Sequence, residues 1–387
     1  MVDHQISDYF LRHYITQPLI IKAPGRINLI GEHTDYNEGL VLPASIEKGI
    51  YFAVSSNHLD KIQVETFLMQ PEKIIFQLNG THENYTSFWG NYFKAIIEIL
   101  AAKNYPIKGM DCVFGGDIPI GSGLSSSAAL CCGFIYAITR VSGTEISREE
   151  IALIAQEAEH KIGLNCGLMD QYAVLFGKKG NAFFLDCKDL SHSYVPINLK
   201  GYSWVLINSN IKHNLAVDSE YNKRRISCEN IVKEVQKQHT EVTSLRDVTI
   251  KDLDIVSVVS HPIDIKRAKY VIEENERVRR MMKELARGDA KEVGKVLNEG
   301  HWAMSTQYEI TTSELDALVK IGEGLNGVVG SRMMGGGFGG CTINLIETSK
   351  LESSISSLLQ EYKKQTGIDA EYYHLSIDDG VNVYQQS

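Results

Sequence analysis

The sequence lacks the features that mark secreted, membrane-spanning and nucleic-acid-binding proteins. Its longest apolar run, 128–138, is far shorter than the roughly 18 residues needed to cross a bilayer. The amino terminus has no basic stretch followed by an apolar one, so we expect no secretion signal. A net charge of −9 provides no basic surface for nucleic acid or for an anionic membrane. We therefore expect a cytoplasmic protein that binds neither nucleic acid nor a membrane.

Paired cysteines are missing as well. The seven cysteines include no C-x-x-C motif and are odd in number, which argues against both a zinc site and a disulfide framework. Free thiols in a reducing cytosol are consistent with this pattern. No heptad repeat or long apolar face indicates an obligate dimer, so we expect a monomer, with a weak homodimer as the alternative.

The chain is long enough for two domains. A single core stops growing at about 250–300 residues, and this chain has 387. We place the boundary near residue 200, which gives domains 1–200 and 201–387, because charged amphipathic helices dominate the second part. Hydrophobic periodicity predicts strands at 19–23, 111–114, 183–185, 204–207 and 341–346, and helices at 89–100, 125–140, 151–160, 218–236, 265–286 and 290–302.

A loop rich in glycine and serine leads from the strand at 111–114 into the helix at 125–140. Such a turn exposes backbone N–H groups at a helix N-terminus, a geometry that binds phosphate. A purely structural turn is the alternative, and one serine would suffice to cap the helix. No lysine of the G-x-x-x-x-G-K-[ST] kind is present, so this is not a Walker P-loop. The residues that could contact phosphate are Gly121, Ser122, Gly123, Leu124, Ser125, Ser126 and Ser127.

A second segment, 25–37, concentrates a guanidinium, carboxylates, an imidazole and a phenol in a short stretch. This density of polar groups suits a ligand with many hydroxyls, since each hydroxyl needs a donor or an acceptor. Arg26 is flanked by glycine and apolar residues, so we expect its charge to be partly buried and to need a partner. A solvated loop is the alternative. The candidate residues are Arg26, Glu32, His33, Thr34 and Asp35.

Carboxylates further along the chain are candidates too. Asp170 follows the apolar Met169, and buried carboxylates are usually paired, although capping of the next helix explains it equally well. Glu157 and Glu159 lie on the preceding helix, and we expect Glu157 on its exposed face. The segment 335–340 matches G-x-G-x-x-G, but a strand follows it. We therefore interpret it as a close backbone approach and not as a dinucleotide site.

Together these segments resemble the GHMP kinase family and, within it, the galactokinases. The stretch 25–37 is similar to the galactokinase signature, 121–128 to the ATP-phosphate loop of the family, and 330–341 to its third motif. A segment at 219–229 also resembles galactokinases. The resemblance implies a two-domain α+β fold with an N-terminal ribosomal-S5-domain-2-like domain and a C-terminal ferredoxin-like domain. The active site would lie in the cleft between them.

The same resemblance implies a role for each candidate. Asp170 and Arg26 would be the catalytic pair, acting on ATP and D-galactose. The residues that hold the sugar would be Glu32, His33, Thr34, Asp35, Gly167 and Tyr221. The triphosphate would lie against Gly121, Ser122, Gly123, Leu124, Ser125, Ser126 and Ser127, and Mg²⁺ would be positioned by Ser127 and Glu159.

The implied reaction transfers the γ-phosphoryl group of ATP to the C1 hydroxyl of α-D-galactose, the first committed step of galactose metabolism. Phosphoryl transfer depends mainly on positioning and on charge stabilisation. Asp170 would accept the hydroxyl proton, and Arg26 would keep Asp170 ionised and meet the charge that develops on the phosphoryl group.

Two other functions share most of these motifs. Some fungal regulators keep this fold and bind galactose and ATP without turnover, but their phosphate loop is shortened, whereas 124–129 is complete here. An N-acetylgalactosamine kinase would differ around Thr34 and 37–39, where room is needed near C2 of the sugar. At these positions the sequence resembles the galactose type.

Overall fold

The structure, a computed structural model, describes residues 2–67, 72–80, 83–119, 121–164, 166–211 and 217–384, except for the side chains of 217–219. Within these residues the chain forms eleven α-helices and thirteen β-strands. The helices are α1 (Val2–His13), α2 (Phe88–Ala102), α3 (Ser126–Ser142), α4 (Arg148–Lys161), α5 (Met169–Phe176), α6 (Val217–Gln236), α7 (Ile250–Val256), α8 (Pro262–Arg287), α9 (Ala290–Ala303), α10 (Ser313–Glu323) and α11 (Leu351–Thr366). The strands are β1 (Leu19–Asn28), β2 (Leu40–Val41), β3 (Pro43–Ser56), β4 (Lys61–Thr66), β5 (Lys73–Gln77), β6 (Met110–Gly116), β7 (Asn181–Asp186), β8 (His192–Pro196), β9 (Tyr202–Asn208), β10 (Val328–Met334), β11 (Cys341–Glu347), β12 (Glu371–Leu375) and β13 (Asn382–Val383).

The largest sheet lies in the N-terminal half and has the strand order β13-β1-β3-β6-β4-β5. Helices α3 and α5 pack against β1 and β3, and α2 and α4 pack against α3. Helix α3 is buried on nearly all sides, as its almost uninterrupted apolar sequence predicts. Phe134 of α3 stacks on Phe93 of α2 with the ring centroids 3.8 Å apart. The glycine-serine loop therefore leads into a firmly packed helix.

Strand β1 continues past Pro24, although the sequence predicted that it would end there. The pairing of β1 with β3 shifts its register between Pro24 and Arg26, which marks a β-bulge. Pro24 pairs with Gly49, and Gly25 is the residue of β1 that the shift leaves without a partner. Bulges are among the few places where a sheet tolerates proline. The backbone N–H of Arg26 donates to the carbonyl of Leu124 at 3.1 Å. Arg26 thus projects from a strand that touches the glycine-serine loop, and the solvated-loop interpretation is wrong for it.

The C-terminal half contains a second sheet, with the order β10-β11-β9-β12. Helices α10 and α11 pack on one side of it, and a core shared with the N-terminal half lies on the other. In that shared core, Ile27 and Leu29 of the N-terminal half join Val278, Leu297 and Ile343. The end of β1 is therefore anchored on the C-terminal half, next to the segment that was predicted to bind a polyhydroxylated ligand.

The remaining strands form a small sheet, β2-β7-β8. The predicted boundary near residue 200 falls between β8 and β9 and stays a prediction. After β12 the chain returns to the N-terminal half, where β13 pairs with β1. The predicted mixture of helices and sheets is confirmed, and the predicted helices lie where α2, α3, α4, α6, α8 and α9 are found.

None of the described helices has the length and apolar character that crossing a membrane requires. Each of the seven cysteines is a free thiol. The cytoplasmic location and the monomeric state stay predictions.

Candidate active site

A cavity of about 230 Å³ brings together residues that are far apart in the sequence. It lies where the end of β1, the start of α3, the connection from α4 to α5, helix α6 and the loop after β10 meet. Its lining residues are Arg26, Glu32, His33, Asp35, Ser127, Glu159, Gly163, Leu164, Cys166, Gly167, Met169, Asp170, Tyr221, Asn222, Gly335 and Gly336.

Arg26 and Asp170 form an ion pair at this cavity. Nε of Arg26 donates to Oδ1 of Asp170 at 2.7 Å and Nη2 donates to Oδ2 at 3.0 Å, so two parallel bonds fix the carboxylate. Nη1 donates to the carbonyl of Gly123 at 2.6 Å. The Arg26 side chain is 5% exposed and that of Asp170 is 27% exposed. The guanidinium is therefore enclosed, while the carboxylate keeps a face open to the cavity.

Asp170 does not cap helix α5, because Leu168 occupies the N-cap position. The loop before α3 reaches it instead. The hydroxyl of Ser125 donates to Oδ2 of Asp170 at 2.5 Å. Ser125 stands at the N-cap of α3 with a left-handed backbone (φ 59°), but its side chain makes no bond to the helix. Such a conformation costs about 1–3 kcal/mol outside glycine, and the surrounding structure must impose it.

The path of the loop depends on glycine. Gly121 and Gly123 have left-handed φ values of 72° and 70°, which glycine adopts without steric cost. A Cβ atom on Gly121 would have no heavy atom within 4 Å, so this side of the loop is open. A Cβ atom on Gly335 would lie 3.7 Å from the carbonyl oxygen of Gly123, an ordinary contact, whereas one on Gly337 would lie 2.2 Å from the carbonyl oxygen of Ile310. The close backbone approach predicted for 335–340 is therefore confirmed.

Glu159 is buried beside Ser127 at the wall of the cavity. The side-chain amide of Gln171 donates a hydrogen bond to Oε2 of Glu159. Burial raises the pKa of Glu159 to about 7. A hydrogen bond from Ser127 lowers this pKa in part, and the charge of Asp170 raises it further. The side chains with the largest influence on this pKa are those of Ser127, Asp170, Gln171 and Cys166, and none of these four is basic. Glu157, by contrast, is exposed as expected.

Asp35 and Gly167 fit together so closely that position 167 has no room for a side chain. A Cβ atom on Gly167 would lie 2.0 Å from Oδ2 of Asp35. Burial, with the charge of Asp170 nearby, raises the pKa of Asp35 to about 6. Two carboxylates that influence each other thus line one cavity, and a ligand with hydroxyl groups could donate hydrogen bonds to both.

His33 is held at both ring nitrogens. Nε2 lies 3.1 Å from the carbonyl oxygen of Gly336, and Nδ1 lies 2.7 Å from the hydroxyl of Tyr36. Burial lowers the pKa of His33 to about 4, so the ring is neutral near pH 7. The ring of Tyr221 packs against it with the centroids 4.8 Å apart. This part of the cavity therefore offers flat rings and fixed polar atoms.

Glu32 lines the cavity, but its charge is already paired. It forms a salt bridge with Nη2 of Arg332, and both side chains are almost fully buried. The same Nη2 lies 3.4 Å from Oε1 of Glu274. The backbone N–H of Gly335 donates to Oε1 of Glu32 at 3.3 Å. This network ties the segment 25–37 to the C-terminal half.

Models of known protein families match the chain in three regions. The galactokinase galactose-binding signature matches residues 8–56, the GHMP kinase N-terminal domain 91–178 and the GHMP kinase C-terminal domain 281–364. A galactokinase from Clostridium acetobutylicum is 37% identical over 384 residues, which cover 98% of this chain and 97% of that protein. The chain belongs to the galactokinase family. A galactokinase from Fusobacterium nucleatum is 39% identical over 367 residues, covering 92% and 93% of the two chains.

Solved structures agree with this membership. The galactokinase of Lactococcus lactis, crystallised with galactose, superposes with a TM-score of 0.93 at 31% identity, covering 99% of this chain and 100% of that one. The mevalonate kinase of Methanococcus jannaschii, at 19% identity and a TM-score of 0.64, shares the fold over 94% of this chain and 99% of its own. The predicted two-domain GHMP kinase fold is confirmed.

The cavity of this galactokinase-family chain collects most of the predicted site residues, and their individual roles stay predictions. Thr34 does not line it: the side chain is fully buried, and its hydroxyl lies 2.9 Å from the carbonyl of Gly31 and 2.7 Å from that of Leu40. Thr34 closes the turn that carries its neighbours. In the described part of the loop 121–127, Ser127 is the residue that lines this cavity.

Sequence reasoning missed residues that reach the galactokinase-family site from the C-terminal half. Arg332 forms a salt bridge with Glu32, and Glu274 forms one with the same Arg332. The hydroxyl of Tyr308 lies 2.8 Å from that of Tyr36. Arg332 carried a usable signal, because a charged residue next to two methionines in a strand needs a buried partner. The pairing itself spans 300 residues of sequence, so no local pattern reveals it.

Proposed function

We propose that this chain phosphorylates D-galactose at its C1 hydroxyl with ATP, giving galactose 1-phosphate and ADP. The observation that carries the proposal is the bidentate pair of Arg26 and Asp170, whose carboxylate faces the cavity. A polar set suited to a sugar lines the same cavity, and a glycine-serine loop suited to phosphate adjoins it. Both halves of a phosphoryl transfer would therefore meet at Asp170.

The sugar would lie against residues of the turn that follows β1 and against Gly167 and Tyr221 on the other side of the cavity. Asp35 would supply a carboxylate acceptor, and His33 would supply a ring nitrogen. Gly167 leaves the space that Asp35 occupies. The rings of His33 and Tyr221 provide a flat surface for the apolar face of a sugar. Glu32 could accept a hydrogen bond from the sugar only with the lone pairs that its salt bridge with Arg332 leaves free.

The triphosphate of ATP would lie along the loop 121–127 and at the N-terminus of α3. Backbone N–H groups and the positive end of the helix dipole favour phosphate there. Arg26 bonds to the carbonyl of Gly123 and to Asp170 at once, so its guanidinium stands between the loop and the acceptor site. That position lets it stabilise charge on the transferring phosphoryl group.

Asp170 would orient the C1 hydroxyl and accept its proton. Its carboxylate already accepts hydrogen bonds from Arg26 and from Ser125, which fix its orientation. A positioned base of this kind contributes about 10²–10⁴-fold to a rate. The transition state of phosphoryl transfer is loose, so positioning accounts for a large share of the effect.

Mg²⁺ is compatible with a site made by Ser127 and Glu159. Both supply oxygen ligands, which Mg²⁺ prefers, and Glu159 is a buried carboxylate that no basic side chain among its described neighbours neutralises. Bound with ATP, the ion would offset charge on the β- and γ-phosphoryl oxygens.

The experiment offers the purified protein ATP, Mg²⁺ and one sugar at a time: galactose, N-acetylgalactosamine, glucose or arabinose. ADP release is followed by a coupled assay, and the product is identified by ³¹P NMR. We expect rapid turnover with galactose and a sugar 1-phosphate as product. The control is 1-deoxygalactose, which lacks the acceptor hydroxyl and should compete with galactose without being phosphorylated.

Two results would overturn the proposal. Binding of galactose and ATP without ADP release would indicate a sensor. Faster turnover with N-acetylgalactosamine than with galactose would assign the chain to a different sugar.

A further inference from the structure

A chain of hydrogen bonds runs from His33 into the C-terminal half, and the proposed mechanism does not use it. Nδ1 of His33 lies 2.7 Å from the hydroxyl of Tyr36, which lies 2.8 Å from the hydroxyl of Tyr308. The Tyr308 hydroxyl lies 3.4 Å from Sγ of Cys228. Tyr308 and Cys228 are fully buried. We call these four side chains the hydroxyl relay.

The direction of the relay follows from its one fixed end. The carbonyl oxygen of Gly336 can only accept, so the proton of His33 must be on Nε2. In the neutral ring Nδ1 then accepts a hydrogen bond, and the hydroxyl of Tyr36 donates its single proton to it. Tyr36 therefore accepts from Tyr308, and the thiol of Cys228 is left to donate to Tyr308. Each hydroxyl donates once and accepts once.

The backbone of His33 is held as firmly as its ring. His33 has a left-handed conformation with φ 61°, which is uncommon outside glycine. The side-chain amide of Asn37 donates to its carbonyl at 2.9 Å. The ring packs against Tyr308 and Tyr221, with centroids 5.1 and 4.8 Å away. Contacts from both halves of the molecule thus determine where Nε2 lies.

We propose that Tyr36 and Tyr308 are positioning residues for the acceptor site, because they hold the His33 ring so that Nε2, and not Nδ1, carries the proton at the cavity wall beside Gly336. The proposal rests on the proposed function in one respect, since it takes the occupant of this cavity to be a sugar hydroxyl. Tyr36 acts directly on Nδ1, and Tyr308 acts through Tyr36.

The consequence for specificity is a fixed assignment of donor and acceptor. A sugar hydroxyl that accepts from Nε2 keeps its own proton for a carboxylate such as Asp35, which can only accept while ionised. With the ring turned over, the same hydroxyl would face two acceptors and have one proton for both. A hydroxyl bound to His33 would take or share the proton that now goes to Gly336.

Kinetics of Tyr36→Phe test the proposal, with Tyr362→Phe as the matched control. Tyr362 is also fully buried and donates one hydrogen bond, to the carbonyl of Ser209 at 2.9 Å. Neither Tyr362 nor Ser209 is among the described residues that line the cavity. We expect KM for galactose to rise roughly three- to tenfold in Tyr36→Phe, the worth of one such bond, with kcat and KM for ATP nearly unchanged. Tyr308→Phe should give a smaller rise in the same constant. An unchanged KM for galactose in Tyr36→Phe, or an equal change in Tyr362→Phe, would overturn the proposal.

The proton position is tested without turnover. The protein is labelled with ¹⁵N-histidine, and the signals of His33 are assigned by their loss in His33→Asn. At pH 7 we expect the wild-type ring to carry its proton on Nε2, with an unprotonated Nδ1 shifted by its hydrogen bond, and Tyr36→Phe to lose that shift. A proton on Nδ1 of the wild-type protein would overturn the proposal. Because no sugar is present, this result does not depend on whether galactose is the substrate.

Discussion

Arg26 and Arg332 each bind a carboxylate at the same cavity, but their surroundings differ. Arg26 fixes Asp170 with two hydrogen bonds, and the Asp170 side chain is 27% exposed. Arg332 binds Glu32 and Glu274, whose side chains are 1% and 0% exposed. Glu274 also pairs with Arg277. In the first cluster a carboxylate retains an open face, whereas the second is almost fully buried and only Glu32 of its members reaches the cavity wall.

The difference in exposure indicates that the cluster of Arg26 and Asp170 serves the reaction and that the cluster of Arg332, Glu32 and Glu274 stabilises the fold. A carboxylate that moves a proton must reach its substrate, so it needs an open face. A closed cluster cannot react, but removal of one member leaves a buried charge unpaired, which costs about 3–5 kcal/mol. We therefore expect variants of the open cluster to lose turnover and variants of the closed cluster to lose stability.

Asp170→Asn should show the largest effect, on turnover alone. We expect kcat to fall about 10²–10⁴-fold, because the amide keeps the shape but cannot take the proton. The asparagine oxygen can still accept a hydrogen bond from Arg26, so we expect the melting temperature and the ATP affinity to stay near those of the wild type. Steady-state ADP release and calorimetry provide the measurements. The control is Asp247→Asn, which removes a surface partner of Lys188. A kcat near the wild-type value would refute the role of Asp170.

Glu274→Gln should show the opposite pattern. The change removes the fully buried carboxylate that pairs with Arg277 and leaves Arg332 with Glu32 as its buried anion. We therefore expect the free energy of unfolding to fall by about 3 kcal/mol, with kcat of the folded protein within a few-fold of the wild type. Urea denaturation measures the loss. Glu276→Gln is the control, since that carboxylate is exposed and pairs only with Arg279 among the described residues. Equal stability of the two variants would contradict the assignment of the closed cluster.

Arg26→Lys tests whether charge alone is enough. A lysine keeps the charge but cannot bind Asp170 with two bonds and Gly123 with a third. We expect kcat to fall about 10²-fold, the size typical of a lost near-attack geometry. Arg280→Lys is the control, because Arg280 holds Glu299 with two bonds on the surface. Full activity of Arg26→Lys would reduce Arg26 to a structural role.

The smallest expected effect is a pH dependence of Mg²⁺ binding. Burial raises the pKa of Glu159 to about 7, whereas Arg277 and Arg332 lower that of Glu274 against desolvation. Below about pH 7, Glu159 must lose a proton before it can bind a cation. Affinity should therefore fall towards tenfold for each pH unit. Titration of Mg²⁺ with a non-hydrolysable ATP analogue between pH 6 and 8 measures this.

The control for that titration is Glu159→Gln, which keeps the pH dependence of the nucleotide itself. An identical slope in both proteins would contradict the assignment. The raised pKa also implies that the unfolding free energy contributed by Glu159 falls as pH rises from about 4.5 to about 7. The reason is that the unfolded chain loses its proton first.

Local patterns predicted what is local in this molecule. The apolar run after Ser125 predicted the buried helix α3, and the segment 25–37 predicted several of the polar groups that line the cavity. Arg26 and Asp170, which lie 144 residues apart, were joined by resemblance and by the rule that buried charges need partners. Spacing alone would not have paired them.

The rest depends on contacts that no window of sequence contains. The bulge that carries β1 past Pro24 is set by pairing with β3. The hydroxyl of Ser125 donates to Asp170 because the left-handed backbone at Ser125 directs the side chain towards that carboxylate. Thr34 looked like part of the ligand site through its polar neighbours, yet its hydroxyl is used up by the carbonyls of Gly31 and Leu40.

The most direct test of the open cluster is the turnover of the double variant Arg26→Lys/Asp170→Asn. If the two side chains act as one unit on the acceptor hydroxyl and the phosphoryl group, the effects of the single changes do not add. We predict that kcat of the double variant equals that of Asp170→Asn within about threefold. A kcat lower by the full factor of Arg26→Lys would show that the two residues act independently, and would contradict the account.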